Sequence, residues 1–159
     1  MEFQDLLAPV AGEFSVNDAL ESWRWLVSDD VRALVLTAFG DLFLTTSNGA
    51  VLFLDTIDGK CCEVAVSVDE WEMKVKEPEM LDRWFMPAFL AQLHESGLYL
   101  SQGECYSAVI PTILSGPFSV ENWRPAHWRV HFHSLGQIHQ QVKDLPEGTK
   151  ITKFNYTEI

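Results

Sequence analysis

Two glycine turns, Asn48-Gly49 and Asp58-Gly59, constrain this chain more than any other feature in it. Each sits between runs of β-forming residues. Asn-Gly and Asp-Gly suit tight hairpins because both positions tolerate positive φ. Leu42-Phe43-Leu44 leads into the first turn, Val51 to Leu54 lies between the two, and Cys61 to Val66 follows the second. The sequence therefore predicts an antiparallel meander over about 41–46, 50–55 and 60–66.

Helices flank this meander. Ser15 or Asn17 can cap a helix running to about Val27, with Asp18 and Glu21 near its positive end. Leu20, Trp23 and Val27 share one face of it. Ser67 or Asp69 can cap a short helix carrying Trp71 and Val75. Pro78 suits a first helical turn, and Leu81, Phe85, Phe89 and Leu93 recur at helical spacing up to Gly97. Pro87 predicts a kink or two abutting helices. Residues 1–16 form a lead-in, residues 31–39 fit either a strand or a short helix, and residues 99–126 are loop-rich.

Trp128 to His133 alternates like a strand, Ser134-Leu135-Gly136 reads as a turn, and Gln137 to Val142 reads as the returning strand. The expected fold is α+β. It is a twisted antiparallel sheet of about 41–46, 50–55, 60–66, 128–133 and 137–143, packed on one face by helices from about 17–27 and 79–95. With 159 residues the chain has room for one such core, a helical lead-in over 1–38 followed by the main region over 39–151.

The formal charge is −12, and it is unevenly spread. Residues 1–104 hold 19 acidic and 6 basic side chains, whereas residues 105–159 hold 4 and 5. So acidic a chain is a poor nucleic-acid binder, because phosphate repels it. Solvated helix faces account for the acidity, and so does a surface that steers a basic partner. The sequence offers no basic n-region for a signal peptide, and no run approaches the ~20 apolar residues of a membrane helix. Cys61, Cys62 and Cys105 make a poor disulfide framework, so reduced thiols and a cytoplasmic location are expected.

Several constellations invite chemistry. His131, His133 and His139 would share a sheet face if 128–143 were a hairpin, and three imidazoles there could take zinc or a small molecule. Their spacing matches no established zinc pattern, and no nearby acid orients the rings. A Cys105 nucleophile paired with a histidine needs a thiolate in reach of the ring, but Gly103-Glu104-Cys105-Tyr106 resembles no nucleophile motif. Phosphate-binding and hydrolase glycine motifs are lacking. Trp25 lies on a different helical face from Trp23, and an exposed Trp beside acids suits a protein-binding hot spot.

Phe39-Gly40-Asp41-Leu42-Phe43 and Phe53-Leu54-Asp55 begin a wider likeness. Gly103-Glu104-Cys105-Tyr106-Ser107, Val109-Ile110-Pro111, Leu114-Ser115-Gly116, Glu121-Asn122, Val130-His131 and Gly136-Gln137-Ile138-His139-Gln140 continue it in order. Over about residues 20–151 the chain resembles the immunity proteins of type VI secretion DNase effectors, the Tdi family, whose members often carry a GAD-like N-terminal region. The resemblance implies a non-enzymatic cytoplasmic protein that binds and neutralises a cognate nuclease toxin. No cofactor, metal, nucleic acid or membrane is expected as a partner. Charge clustering makes Asp29, Asp30, Glu70, Glu77, Glu79 and Asp82, with Trp25, the expected partner-binding surface.

Overall fold

The computed structural model describes residues 1–28 and 30–158, so the expected surface acid Asp29 lies outside the described residues. Strands β1 (Val31–Leu36), β2 (Leu42–Thr46), β3 (Val51–Asp55) and β4 (Lys60–Ala65) form one antiparallel sheet in sequential order. The meander lies where the glycine turns place it. The ambiguous apolar stretch before it is strand β1, which pairs Val31 with Thr46 and Leu36 with Leu42.

The central strands bury both faces. Leu42, Leu44 and Leu54 enter one apolar cluster, while Phe43, Val51 and Phe53 enter another. This follows from the period-two alternation of side chains in strands that lack a polar face. On the phenylalanine side, Phe43 meets Phe53, Trp71, Trp84 and Phe85 with ring centroids 4.6 to 5.7 Å apart. Trp71 comes from α2 (Val68–Lys74) and Trp84 and Phe85 from α3 (Pro78–Phe85), with α4 (Pro87–Glu95) beyond. Met86, in the left-handed region at φ 47°, ends α3, and Pro87 opens α4, so the two helices abut as Pro87 requires.

The leucine side is covered by α1 (Val16–Leu20), the 3-10 turn Glu21–Trp23 and α5 (Trp128–Val142). The α+β class and the twisted antiparallel sheet stand. The helices from 17–27 and 79–95 lie on opposite faces, because β2 and β3 leave neither face polar. Ser15 and Ser67 cap α1 and α2, their Oγ atoms accepting from the N–H groups of Asp18 and Glu70 at 3.3 and 3.2 Å.

The expected strands 128–133 and 137–143 do not exist, since this stretch is the single helix α5. Trp128, His131, Phe132, Leu135, Gly136, Ile138 and His139 are its buried residues, on one face of a helical repeat. Gly136 is a packing residue rather than a turn. A Cβ there would strike the Ser22 carbonyl, so glycine lets α5 close on the Glu21–Trp23 turn. Trp23 locks the contact, its Nε1–H donating to the Phe132 carbonyl at 2.9 Å. A second antiparallel pair, β5 (Glu104–Ala108) and β6 (Trp123–His127), lies inside the stretch read as loop.

Candidate functional site

Thr56, fully buried just past β3, organises one end of the sheet. Its N–H and its hydroxyl both reach Asp41 Oδ1, at 2.8 and 3.0 Å. Two histidines of α5 converge on it. His131 Nε2 lies 2.9 Å from the Thr56 hydroxyl, and His139 Nε2–H donates to the Thr56 carbonyl at 3.0 Å. His131 Nδ1 lies 2.9 Å from Ser107 Oγ on β5. One arrangement satisfies the chain: Ser107 O–H donates to Nδ1, Nε2–H donates to Thr56, and the Thr56 O–H donates to Asp41. These bonds tie α5, β5 and the start of β2 to the turn between β3 and β4.

The electrostatics follow from burial. Desolvation pushes the His131 imidazole down to about 4, against a raising contact with the Gly40 backbone. Desolvation also lowers His139. The Asp41 carboxyl is pushed well above its usual range, first by burial and then by the charge of Asp55. Asp55 is raised by burial and by Asp58.

A hydroxyl beside an imidazole is the start of a nucleophile–base pair, but this one has no room to act. His131 is 2% exposed, and a Cβ on Gly40 would collide with its ring. The cavity it lines with Trp123 and Leu135 holds about 10 Å³, the size of one water at most. Its low pKa also makes it a weak base near neutrality. The network is structural.

The expected histidine face is overturned with the hairpin that produced it. Along a helix His131 and His133 point apart. His131 and His139 face inward to Thr56, while His133 Nδ1 sits 2.9 Å from Ser22 Oγ and its Nε2 meets the Thr157 carbonyl. Among the described residues no group of three His, Cys, Asp or Glu side chains is placed to hold a metal ion. Cys105 is wholly buried, and desolvation raises its thiol far above the ordinary range. Cys62 is exposed and Cys61 half-buried.

The expected partner-binding residues divide between two places. Glu77, Glu79 and Asp82 are exposed on and beside α3. Glu70, on α2, accepts from Val66 N–H at 2.6 Å and pairs with Lys74 at 3.0 Å, contacts that hold its carboxyl below the usual range. Asp30 lines a shallow cleft with Val68, so it sits beside the first turn of α2. Trp25 lies on the other side of the sheet, against α5. Its indole N–H donates to the carbonyls of Ser22 and Gly136 at 2.9 and 3.2 Å.

Two clefts meet around Thr112, beside Thr56. The larger, about 630 Å³, runs from Trp25 past Asp58 and Ile113 to Leu145. The smaller, about 300 Å³, is lined by Asp41, Asp55, Asp58, Arg83, Thr112 and Phe118 among others. Sequence reasoning did not select Asp41, Asp55 or Asp58. An acid inside an apolar run, as in Phe39-Gly40-Asp41-Leu42, was the available sign for Asp41.

Residues 65–139 match the family described as T6SS immunity protein Tdi1, C-terminal. No curated protein matches the chain. Among the described residues no helix is long and apolar enough to cross a membrane.

Proposed function

We propose, from the match of residues 65–139 to the Tdi1 C-terminal family of T6SS immunity proteins, that the chain binds and neutralises a cognate nuclease toxin without catalysing any reaction. The family match is the observation that carries the reading. It acts in the cytoplasm of the producing cell, with no cofactor. The chain works as one immunity-type domain, in which the lead-in before residue 39 contributes β1 to the sheet.

The acidity supports a nuclease as the target. A nuclease presents positive charge to its substrate, and a protein of net −12 is drawn to that surface and can cover it. Asp29, Asp30, Glu70, Glu77, Glu79 and Asp82 supply the negative charge that draws the toxin's basic surface in. Trp25 joins the contact through the larger cleft, which it shares with Asp58.

The test is recovery of the C-terminally tagged chain from its source cells, followed by mass spectrometry and an activity assay. The expected result is one enriched basic protein, encoded beside this gene, whose nuclease activity the purified chain abolishes at equimolar ratio. A neighbour that is expressed but neither bound nor inhibited overturns the reading.

A further inference from the structure

The ten residues 109–118, between β5 and β6, combine two properties seldom found together. They expose large apolar side chains: Val109 is 64% exposed, Ile110 50%, Ile113 46% and Phe118 50%. Their backbone is also tightly held. Asn122, only 6% exposed, accepts from Ile110 N–H and donates to the carbonyls of Ile110 and Pro117, all within 2.9 to 3.0 Å. Its own carbonyl accepts from Val109 N–H at 2.7 Å. Gly116 lies so close to the Ile110 carbonyl that any Cβ would overlap it. A buried amide is thus committed to fixing a loop that presents apolar groups to water. Such a loop has already met its ordering cost before a partner arrives.

Its flank is acidic. Phe118 lines the smaller cleft together with Asp41, Asp55 and Asp58, and among the described residues Arg83 is the one basic side chain lining it. Among the described residues neither Asp55 nor Asp58 takes part in an ion pair within 4.0 Å. Ile113 lines the larger cleft on the other side of Thr112, with Asp58 again in its wall. Apolar groups beside the exposed Asp58 carboxylate and its neighbour Asp55 complement a lysine or arginine set among apolar neighbours.

We infer that the 109–118 loop and its Asp55–Asp58 flank are where the toxin docks, and that they receive a basic side chain of the toxin flanked by apolar ones. This rests on the immunity reading above. It differs in location from the acids of α3, which serve at a distance.

The test uses the full chain and the basic protein recovered with it in the experiment above, silenced at its active site. Binding is measured for Ile113→Asp, Asp58→Lys and the α3 pair Glu79→Lys/Asp82→Lys, with urea denaturation as the fold control. Ile113, Asp58 and the α3 acids are exposed, so the variants are expected to fold. Ile113→Asp and Asp58→Lys are each expected to weaken affinity at least about tenfold, as central contacts do, and the α3 pair less than about threefold. Carbodiimide coupling, which joins a carboxylate to a lysine in direct contact, is expected to link Asp55 or Asp58 to the nuclease. Tight binding that survives both Ile113→Asp and Asp58→Lys, or coupling confined to α3, overturns the docking site and leaves the immunity reading intact. No binding by the unaltered chain overturns both.

Discussion

Asn122 holds Ile110 by both of its main-chain polar groups, accepting from its N–H and donating to its carbonyl, each at 2.9 Å. The same side chain reaches the Pro117 carbonyl at 3.0 Å and so ties the two ends of the loop together. Replacing it with alanine leaves those groups without partners. Asn122→Ala is expected to cost roughly 1–3 kcal/mol in urea denaturation. It is also expected to speed hydrogen exchange at Ile110 while β2 and β3 stay protected. An unchanged Ile110 rate would show that the loop is held by something else.

Gly136→Ala sets local propensity against packing. Alanine favours a helix interior by about 1 kcal/mol over glycine. In α5, however, the new methyl meets the Ser22 carbonyl and Cβ. The packing term is expected to win, with a net loss of about 1–3 kcal/mol and faster hydrogen exchange at the Trp23 indole N–H as the Glu21–Trp23 turn is pushed away from the Phe132 carbonyl. A gain in denaturation midpoint would contradict the close approach of the two elements.

The buried histidines make stability depend on pH. An unfolded histidine titrates near ~6.5, whereas His131 in the fold is held down to about 4. Between these values the unfolded chain binds a proton that the folded chain refuses, so stability falls as pH drops from about 6.5 toward about 4. The full displacement amounts to about 3 kcal/mol at one site. Asp41 acts in the opposite sense. Its raised carboxyl takes up a proton in the fold before it does in the unfolded chain, which returns stability in acid. Asp41→Asn removes that return and keeps an oxygen for Thr56. Its loss of stability between pH 6.5 and 4.5, followed by urea titration, is expected to be steeper than that of the unaltered chain. An equal or shallower slope argues against the opposing roles of the two residues.

The legible parts of this fold were those with local causes. Asn48-Gly49 and Asp58-Gly59 mark turns whose φ values demand glycine, and Ser15, Ser67, Pro78 and Pro87 act within one helical turn of themselves. Helix α5 was illegible because Gly136 carries the mark of a turn, while its cause is Ser22, more than a hundred residues away in the chain. Trp128, Val130 and Phe132 also alternate over too short a window to separate a period of 2 from 3.6. The histidine face failed with that assignment. The Asp41–Thr56–His131 network and the clamp at Asn122 join residues from separate elements, so no spacing in the sequence could announce them.

The thiols should sort by burial. Cys62 is exposed and Cys61 half-buried, while Cys105 is enclosed and its ionisation is opposed by burial and by Asp41 and Glu104. Iodoacetamide at neutral pH is expected to label Cys62 first, Cys61 more slowly and Cys105 only in denaturant, read by peptide mass spectrometry. Labelling of native Cys105 faster than a free thiol would reopen a nucleophilic role.

Steering and docking should separate in the kinetics of toxin binding. The other acids of residues 1–104 create a field that acts before contact, whereas Asp55 and Asp58 lie at the proposed contact itself. Mutating a charge at the rim of an interface changes the association rate and its salt dependence, while altering a buried partner changes dissociation. Salt screens the field, with a Debye length of about 8 Å at 0.15 M and about 3 Å at 1 M. Association of the unaltered chain with its nuclease is therefore expected to slow as salt rises, with dissociation little changed. Glu79→Lys/Asp82→Lys should lower the association rate and flatten its salt dependence. Asp58→Lys should instead raise the dissociation rate at every salt concentration. If the α3 pair altered dissociation and Asp58→Lys altered only association, the roles of the two acidic groups would be exchanged, and α3 would be the contact.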